Sequence, residues 1–352
     1  MEDRYDITAV ISTYNRAEML PEVLESVLNQ QSDDATYEVI VVDNNSIDST
    51  REIVEVYIAR GHRNLRYLFE PKQGSSYARN AGTLHARSEI VAFADDDIRV
   101  GKDWVATIKR AFDDYPEVDC IGGKVLPVWR VPPPRWLTRD HWMPLALQDY
   151  GDRLIATGLS KPLCLVSANL AFRRKTIIEI GLFSPDLQRV KGSIGSMEDA
   201  ELLERYWRSG RTALYLPNLI VETNVTAERL TKSYHRRWHR GHGYFFAIKR
   251  SPEIDGTPNK LFDVPAHLYK QAVVDAVSWL IFLFGNRSLA FLRETRLNFF
   301  CGFVRKRRAD YYATTTYRGL IRDVLGFVSS CVTKKAYVER CNSDRIAMKD
   351  QG

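Results

Sequence analysis

The chain has 352 residues, 45% hydrophobic and 27% charged, which supplies the core of one large domain or two smaller ones and excludes intrinsically disordered and collagen-like chains. The net charge of +6 conceals an asymmetry, because residues from Arg229 onward hold 23 Lys+Arg against 10 Asp+Glu and leave residues 1–228 at −7. An acidic front followed by a basic, aromatic back suggests chemistry first and surface attachment second, and the basic part lacks any motif that reads RNA or DNA.

In chain order, Ile7 to Ile11 reads as a short buried strand, followed by polar Thr13-Tyr14-Asn15-Arg16. Leu20, Val23, Leu24, Val27 and Leu28 then make one apolar helical stripe, with Pro21 in the first turn, where its missing N–H costs little. Tyr37 to Val42 is a second strand ending at Asp43, and a helix over Ile53 to Ile58 follows, capped near Asp48 or Ser49. Leu65 to Phe69 is a third strand, about Ser76 to Ala86 a helix, Glu89 to Ala94 a fourth strand, and another helix begins after Lys102. This alternation predicts an α/β fold with a mostly parallel sheet flanked by helices. Val131 to Pro134 interrupts it and opens an irregular stretch with Trp129, Trp136 and Trp142 nearby, able either to fold over a substrate or to pack. A last αβ unit runs from Glu198 to Leu216, with Gly210 as its helix stop.

Ligands of open parallel sheets lie beyond the carboxyl ends of the strands. Thr13, Tyr14 and Asn15 follow the first strand, Asp43 the second, and Asp95, Asp96 and Asp97 the fourth. Three consecutive carboxylates after a buried strand repel one another unless positive charge joins them, and carboxylate oxygens select hard cations such as Mg²⁺ or Mn²⁺ together with phosphates. Asp43 reads equally as a turn former or as the acid that recognises a base or ribose. Absence of GxGxxG and GxxxxGK[ST] disfavours a dinucleotide fold and a P-loop.

Thr13-Tyr14-Asn15-Arg16, Val42-Asp43-Asn44-Asn45-Ser46, Gly74-Ser75-Ser76-Tyr77-Ala78-Arg79-Asn80-Ala81-Gly82, Asp95-Asp96-Asp97 and Glu198-Asp199-Ala200-Glu201-Leu202, in this order, resemble the family 2 glycosyltransferases of the GT-A fold over about residues 5–225. The resemblance implies transfer of a sugar from a nucleotide-diphospho-sugar donor to a hydroxyl acceptor, with inversion at the anomeric carbon. It places Thr13, Tyr14, Asn15 and Asp43 at the base and ribose, Arg79 in the nucleotide-binding turn, and Asp95 to Asp97 as the DxD element. Within that element Asp97 is the metal ligand, and Asp95 lies nearer the ribose. Asp199 becomes the general base and Glu198 its neighbour, although two acids opening a helix also suit its dipole. Asn169, ahead of an apolar strand, either approaches the donor or is a buried, satisfied amide.

The segment Tyr234 to Phe245 gathers arginines and His235, His239 and His242. By the same resemblance Arg237 would hold the diphosphate, and His242 is a candidate metal ligand in competition with the other two. Tyr234 stands where processive synthases carry Gln or Arg in Q/RxxRW, which argues against processive synthesis. Ala272 to Phe284 is apolar but too short to cross a bilayer. With Phe291, Leu297, Phe299, Phe300 and Arg305 to Arg308 downstream, it suits either a membrane surface or a helical packing or homodimer surface. Five single cysteines (Cys120, Cys164, Cys301, Cys331, Cys341) and an acidic start without a signal-peptide pattern fit a cytoplasmic protein, peripheral on the membrane if attached. The expected domains are 1–228 for catalysis and 229–352 as a helical extension. A metal-dependent nucleotidyltransferase and a non-catalytic nucleotide-sugar scaffold are the rival readings.

Overall fold

A computed structural model describes residues 5–32, 35–188 and 194–315, and the chain divides into two compact units, one up to Trp238 and one from His239. The charge step falls at residue 229, whereas the units part after Trp238.

The first unit begins with β1 (Tyr5–Thr13), α1 (Leu20–Leu28), β2 (Tyr37–Asp43), α2 (Thr50–Ala59), β3 (Leu65–Phe69), α3 (Ser75–His85) and β4 (Ser88–Asp95). It continues with β5 (Ile98–Val100), α4 (Trp104–Asp114), β6 (Cys120–Trp129), β7 (Ile155–Thr157), β8 (Leu170–Arg173), α5 (Arg174–Glu179), α6 (Glu198–Arg208) and β9 (Ala213–Val225). Among the described residues the strands form one sheet in the order β3-β2-β1-β4-β8-β6-β9-β5, with β7 also on β9. The block β3-β2-β1-β4 is parallel throughout, and β6 and β9 are parallel to each other. β8 runs antiparallel to both of its neighbours, and β5 and β7 run antiparallel to β9. The reversal at β8 follows the Pro- and Trp-rich stretch, where no crossover helix returns the chain to a parallel course.

Alternation along the strands fills a core on each face of the sheet. Ile7, Ala9 and Ile11 of β1 pack with Val39 and Val41, with the α1 stripe and with Trp104, Val105 and Ile108 of α4. Val10, Ile40, Val42, Val91 and Phe93 pack on the other face with Ala78 of α3, Ile177 of α5 and Leu202, Leu203 and Tyr206 of α6. All five predicted stripe residues of α1 are buried, each contributing about 1.5–3 kcal/mol of transfer free energy. The pairing of β6 with β9 shifts register between Gly123 and Lys124, and a Cβ on Gly123 would overlap the Leu219 carbonyl, so a side chain is excluded at the bulge.

The chain continues through α7 (Lys232–Lys249), α8 (Pro252–Asp255), β10 (Lys260–Leu261), β11 (Val264–Pro265), α9 (Ala266–Leu283) and α10 (Arg287–Thr314). The second unit has its own core of Ala247, Val264 and Phe303, with Tyr269 and Phe300 against it. Gly243 and Gly302 let two helix backbones touch, since a Cβ on either would enter the carbonyl of Phe299 or Arg240 respectively. Asp275, which interrupts the apolar run of α9, is buried and paired with Arg293 at 2.9 Å and Arg296 at 3.2 Å on α10. Val273, Val277, Leu280, Ile281 and Phe284 stay exposed. Phe291, expected with the exposed apolar residues, is buried, and Arg307 of the basic run is buried against Asp255 and Asp263. No described helix is long and apolar enough to cross a membrane. Cys331 and Cys341 lie outside the described residues.

Candidate functional site

Strand register assembles the first part of the site. Thr13 at the end of β1 stands opposite Asp43 of β2, and Ser12 stands opposite Asp95 of β4, so the three strand tips carrying the predicted polar residues are adjacent. Past β1, Asn15 takes a left-handed φ of 49°, which asparagine tolerates better than most side chains. Its Oδ1 accepts from the Ile47 amide at 2.8 Å, and its own amide donates to Ser46 Oγ at 3.0 Å. Asp43 is buried, accepting from the Ser46 amide at 2.9 Å and from the Tyr67 hydroxyl at 2.7 Å. Tyr14, which follows Thr13, is half-buried. Helix α2 takes its cap from Asp48, whose Oδ1 accepts from the Thr50 amide at 3.1 Å, and Ser49 makes no such bond.

Asn44 positions the next element. Its Oδ1 accepts from the Gly74 amide at 2.6 Å and its amide group donates to the Lys72 carbonyl at 2.7 Å, while Gln188 Oε1 accepts from the Ser76 amide at 2.8 Å. Gly74 has φ 142° and would drive a Cβ into the Gln188 amide, so glycine is required where α3 begins. Helix α3 then delivers Arg79 to the interior. Its Nη2 donates to Asp95 Oδ1 at 3.0 Å and its Nη1 to Glu198 Oε1 at 3.4 Å, joining the tip of β4 to the start of α6. Arg79, expected in a nucleotide-binding turn, is thus an internal bridge between the two acidic motifs.

Glu198 and Asp199 open α6, where the helix dipole favours negative charge. Asp199 Oδ2 accepts from the Ser167 amide at 3.1 Å, whereas its Oδ1 is buried without a hydrogen-bond partner. Burial, and next the charge of Glu198, push the Asp199 carboxyl up to about 6, against the opposing pull of Arg79. Asp96 is also raised to about 6, chiefly by burial, with Arg16 opposing and Asp97 and Asp95 adding to the rise. Arg16 Nη1 bridges Asp96 Oδ1 at 2.7 Å and Asp97 Oδ2 at 3.2 Å, and Arg229 Nη1 lies 3.7 Å from the same Asp97 oxygen.

These contacts bring together five carboxyl groups (Asp95, Asp96, Asp97, Glu198, Asp199) and three guanidinium groups (Arg16, Arg79, Arg229), an excess of two negative charges. That excess and the all-oxygen donor set suit one Mg²⁺ or Mn²⁺. Among the described residues no group of three or more His, Cys, Asp or Glu is arranged to enclose a metal.

The other expected residues are placed as follows. Asn169 is fully buried and its amide is used inside the fold: Oδ1 accepts from Trp104 Nε1 at 2.9 Å, and Nδ2 donates to the carbonyls of Lys124 at 2.8 Å and Leu219 at 2.9 Å. It anchors β8 to β6 and β9, and no donor atom is left for a ligand. Arg237 is largely exposed, 3.6 Å from Glu228. His235 is buried edge-on to Trp136, with ring centroids 5.0 Å apart, and burial followed by His141 lowers its pKa to about 4. Trp136 and Trp142 therefore serve packing, Trp142 and Trp129 lying against the core. His242 in the second unit rests on the Phe299 ring at 5.6 Å. Arg16, Arg229 and Tyr67 carry no role in the sequence reading. Only the position of Arg16 within the first loop motif signalled it.

Residues 8–181 match the family model for glycosyl transferase family 2. This segment is a family 2 glycosyltransferase domain. The glucosyl-dolichyl phosphate glucuronosyltransferase of Haloferax volcanii is 26% identical over 59% of this chain and 66% of its own length. Glycosyltransferase AglE of the same organism is 36% identical over 34% of this chain and 39% of its own length. The match thus spans less than two thirds of either relative. Among solved structures, the mannosyltransferase PcManGT from Pyrobaculum calidifontis, in complex with GDP-Man and Mn²⁺, has a TM-score of 0.52 at 19% identity and covers 96% of this chain and 83% of its own. GalNAc-T7, with UDP, GalNAc and Mn²⁺, has a TM-score of 0.52 at 16% identity, covering 84% and 55%. These likenesses establish the α/β fold.

Proposed function

We propose that the chain transfers a sugar from a nucleotide-diphospho-sugar to a hydroxyl acceptor with inversion, in the synthesis of a cell-surface or lipid-linked glycan. The observation that carries this reading is the free, buried Oδ1 of Asp199, linked through Glu198 and Arg79 to the Asp95 to Asp97 cluster. Thr13, Tyr14, Asn15 and Asp43 line the base and ribose, and Arg79 holds Asp95 in place. Asp97 would hold a Mg²⁺ or Mn²⁺ ion, whose chemistry when bound is Lewis-acid stabilisation of the departing diphosphate. In the transfer, the acceptor oxygen forms a bond to the anomeric carbon as the bond from that carbon to the diphosphate oxygen breaks. The acceptor's proton passes to Asp199 Oδ1, and general-base help of this kind is worth about 10²–10⁴-fold. Glu198 keeps Arg79 engaged, so the Asp199 charge is opposed without being neutralised by direct contact.

The names of the relatives, one acting on a dolichyl phosphate, favour a lipid-linked acceptor. The exposed apolar side of α9, bracketed by exposed Lys270 and Arg287 and with its one acid turned inward, supports peripheral contact with an anionic membrane surface. Product analysis tests the reaction: transfer with release of nucleoside diphosphate, lost in Asp97→Ala and reduced at least ~100-fold in Asp199→Asn with donor binding kept, supports it. Pyrophosphate release, the mark of a nucleotidyltransferase, or full activity in both variants refutes it.

A further inference from the structure

Arg16 occupies the place of a cation between two carboxylates. One nitrogen, Nη1, bridges carboxylate oxygens of two adjacent aspartates, at 2.7 Å from Asp96 and 3.2 Å from Asp97, which is the arrangement a positive ion adopts between them. Arg229 reaches the same Asp97 oxygen at 3.7 Å, so Asp97 already faces two positive groups. The two arginines differ in freedom: the Arg16 side chain is 43% exposed, against 19% for Arg229. Arg16 also leaves the loop directly after Asn15, whose left-handed backbone is pinned by Ser46 and Ile47. Its root is therefore fixed and its tip is open to solvent on one side.

A guanidinium stays charged at any ordinary pH. A bare divalent ion approaching Asp97 is repelled by Arg16 and must dislodge it into water. An ion arriving on a diphosphate brings the negative oxygens that a guanidinium binds in pairs. We infer that Arg16 is a resident counter-ion of Asp96 and Asp97 that is handed over to the donor diphosphate, so that metal and nucleotide enter the site together and neither binds tightly alone. This inference rests on the donor site proposed above. Coupling of this kind is reciprocal, each ligand raising the affinity for the other by the same factor.

Mn²⁺ titrations of the full chain, followed by the electron paramagnetic resonance signal of the free ion, test it without reference to turnover. For the wild type, binding of Mn²⁺ alone should be weak and should tighten about tenfold or more when UDP or GDP is present. In Arg16→Gln, Mn²⁺ alone should bind at least about fivefold more tightly than to the wild type, and the nucleotide should add less. Arg16→Lys, which keeps the charge, should bind Mn²⁺ alone as weakly as the wild type, and Asp97→Ala should lose the Mn²⁺ site in either background. Mn²⁺ alone bound by Arg16→Gln no more tightly than by the wild type, with the nucleotide effect intact, would overturn the inference and leave the donor site standing. Tighter Mn²⁺ binding in Arg16→Gln with no effect of either nucleotide on the wild type would instead remove the donor reading, and with it the handover.

Discussion

Replacing Asp199 by asparagine should make the protein more stable while disabling it. The Asp199 carboxyl is held up to about 6 against an ordinary value of 3.8, because burial and the neighbouring Glu198 charge outweigh Arg79 and the Ser167 amide. Between those two values the folded chain holds more protons than the unfolded one, so stability falls as pH rises from about 3.8 to about 6 and stays lower above it. Each pH unit in that window is worth about 1.4 kcal/mol, so the ionised group costs up to about 3 kcal/mol at neutral pH. The asparagine side chain keeps the acceptor for the Ser167 amide and carries no charge. Since Glu198 shares the electrostatic cost, the single variant should gain about 1–3 kcal/mol. Urea unfolding of wild type and variant at several pH values measures this directly. The two midpoints should nearly coincide at about pH 4, separate between about pH 4 and 6, and remain apart at about pH 7.5 with the variant higher. A variant less stable at neutral pH, or a difference independent of pH, would refute the placement of an ionised, strained carboxylate at the start of α6.

Three further outcomes follow from the same contacts. Asp199 must be ionised to accept a proton, so kcat/KM for transfer should decline on the acid side below about pH 6, and a flat profile down to about pH 5 would contradict its role. Gly74→Ala should lower Tm and weaken nucleotide binding together, because φ 142° and overlap with the Gln188 amide shift the start of α3 and with it Arg79. Unchanged calorimetric values would show that the turn does not position that arginine. Val277→Asp combined with Ile281→Asp should abolish co-flotation with vesicles containing anionic lipid while leaving transfer to a water-soluble acceptor intact, and a double variant that still floats would exclude α9 as the contact.

Much of this was legible in the sequence because it is local. Five apolar residues at helical spacing define α1, and continuous apolar runs ending in acids define β2 and β4. What escaped depends on contacts distant along the chain. β6 was not foreseen because its two glycines break the apolar run, and β5 is only three residues long. Asn169 could not be assigned from its neighbours: its three partners lie 45 to 65 residues away, and they turn a candidate ligand group into a structural tie. Arg79 reads as a turn residue from its motif, and its bridge to Glu198 crosses 119 residues. Arg307 looks like surface charge in a basic run until Asp255, 52 residues earlier, buries it.

The central claim is that acids on two separate motifs act on one donor and one acceptor, and its most direct measurement is product identity. Incubating the full chain with Mn²⁺, a panel of nucleotide sugars and a hydroxyl acceptor, and resolving the products by mass, should give glycosylated acceptor with one equivalent of nucleoside diphosphate, absent with Asp97→Ala and strongly reduced with Asp199→Asn. Undiminished product from Asp199→Asn, or pyrophosphate formed from a nucleoside triphosphate instead, would contradict it.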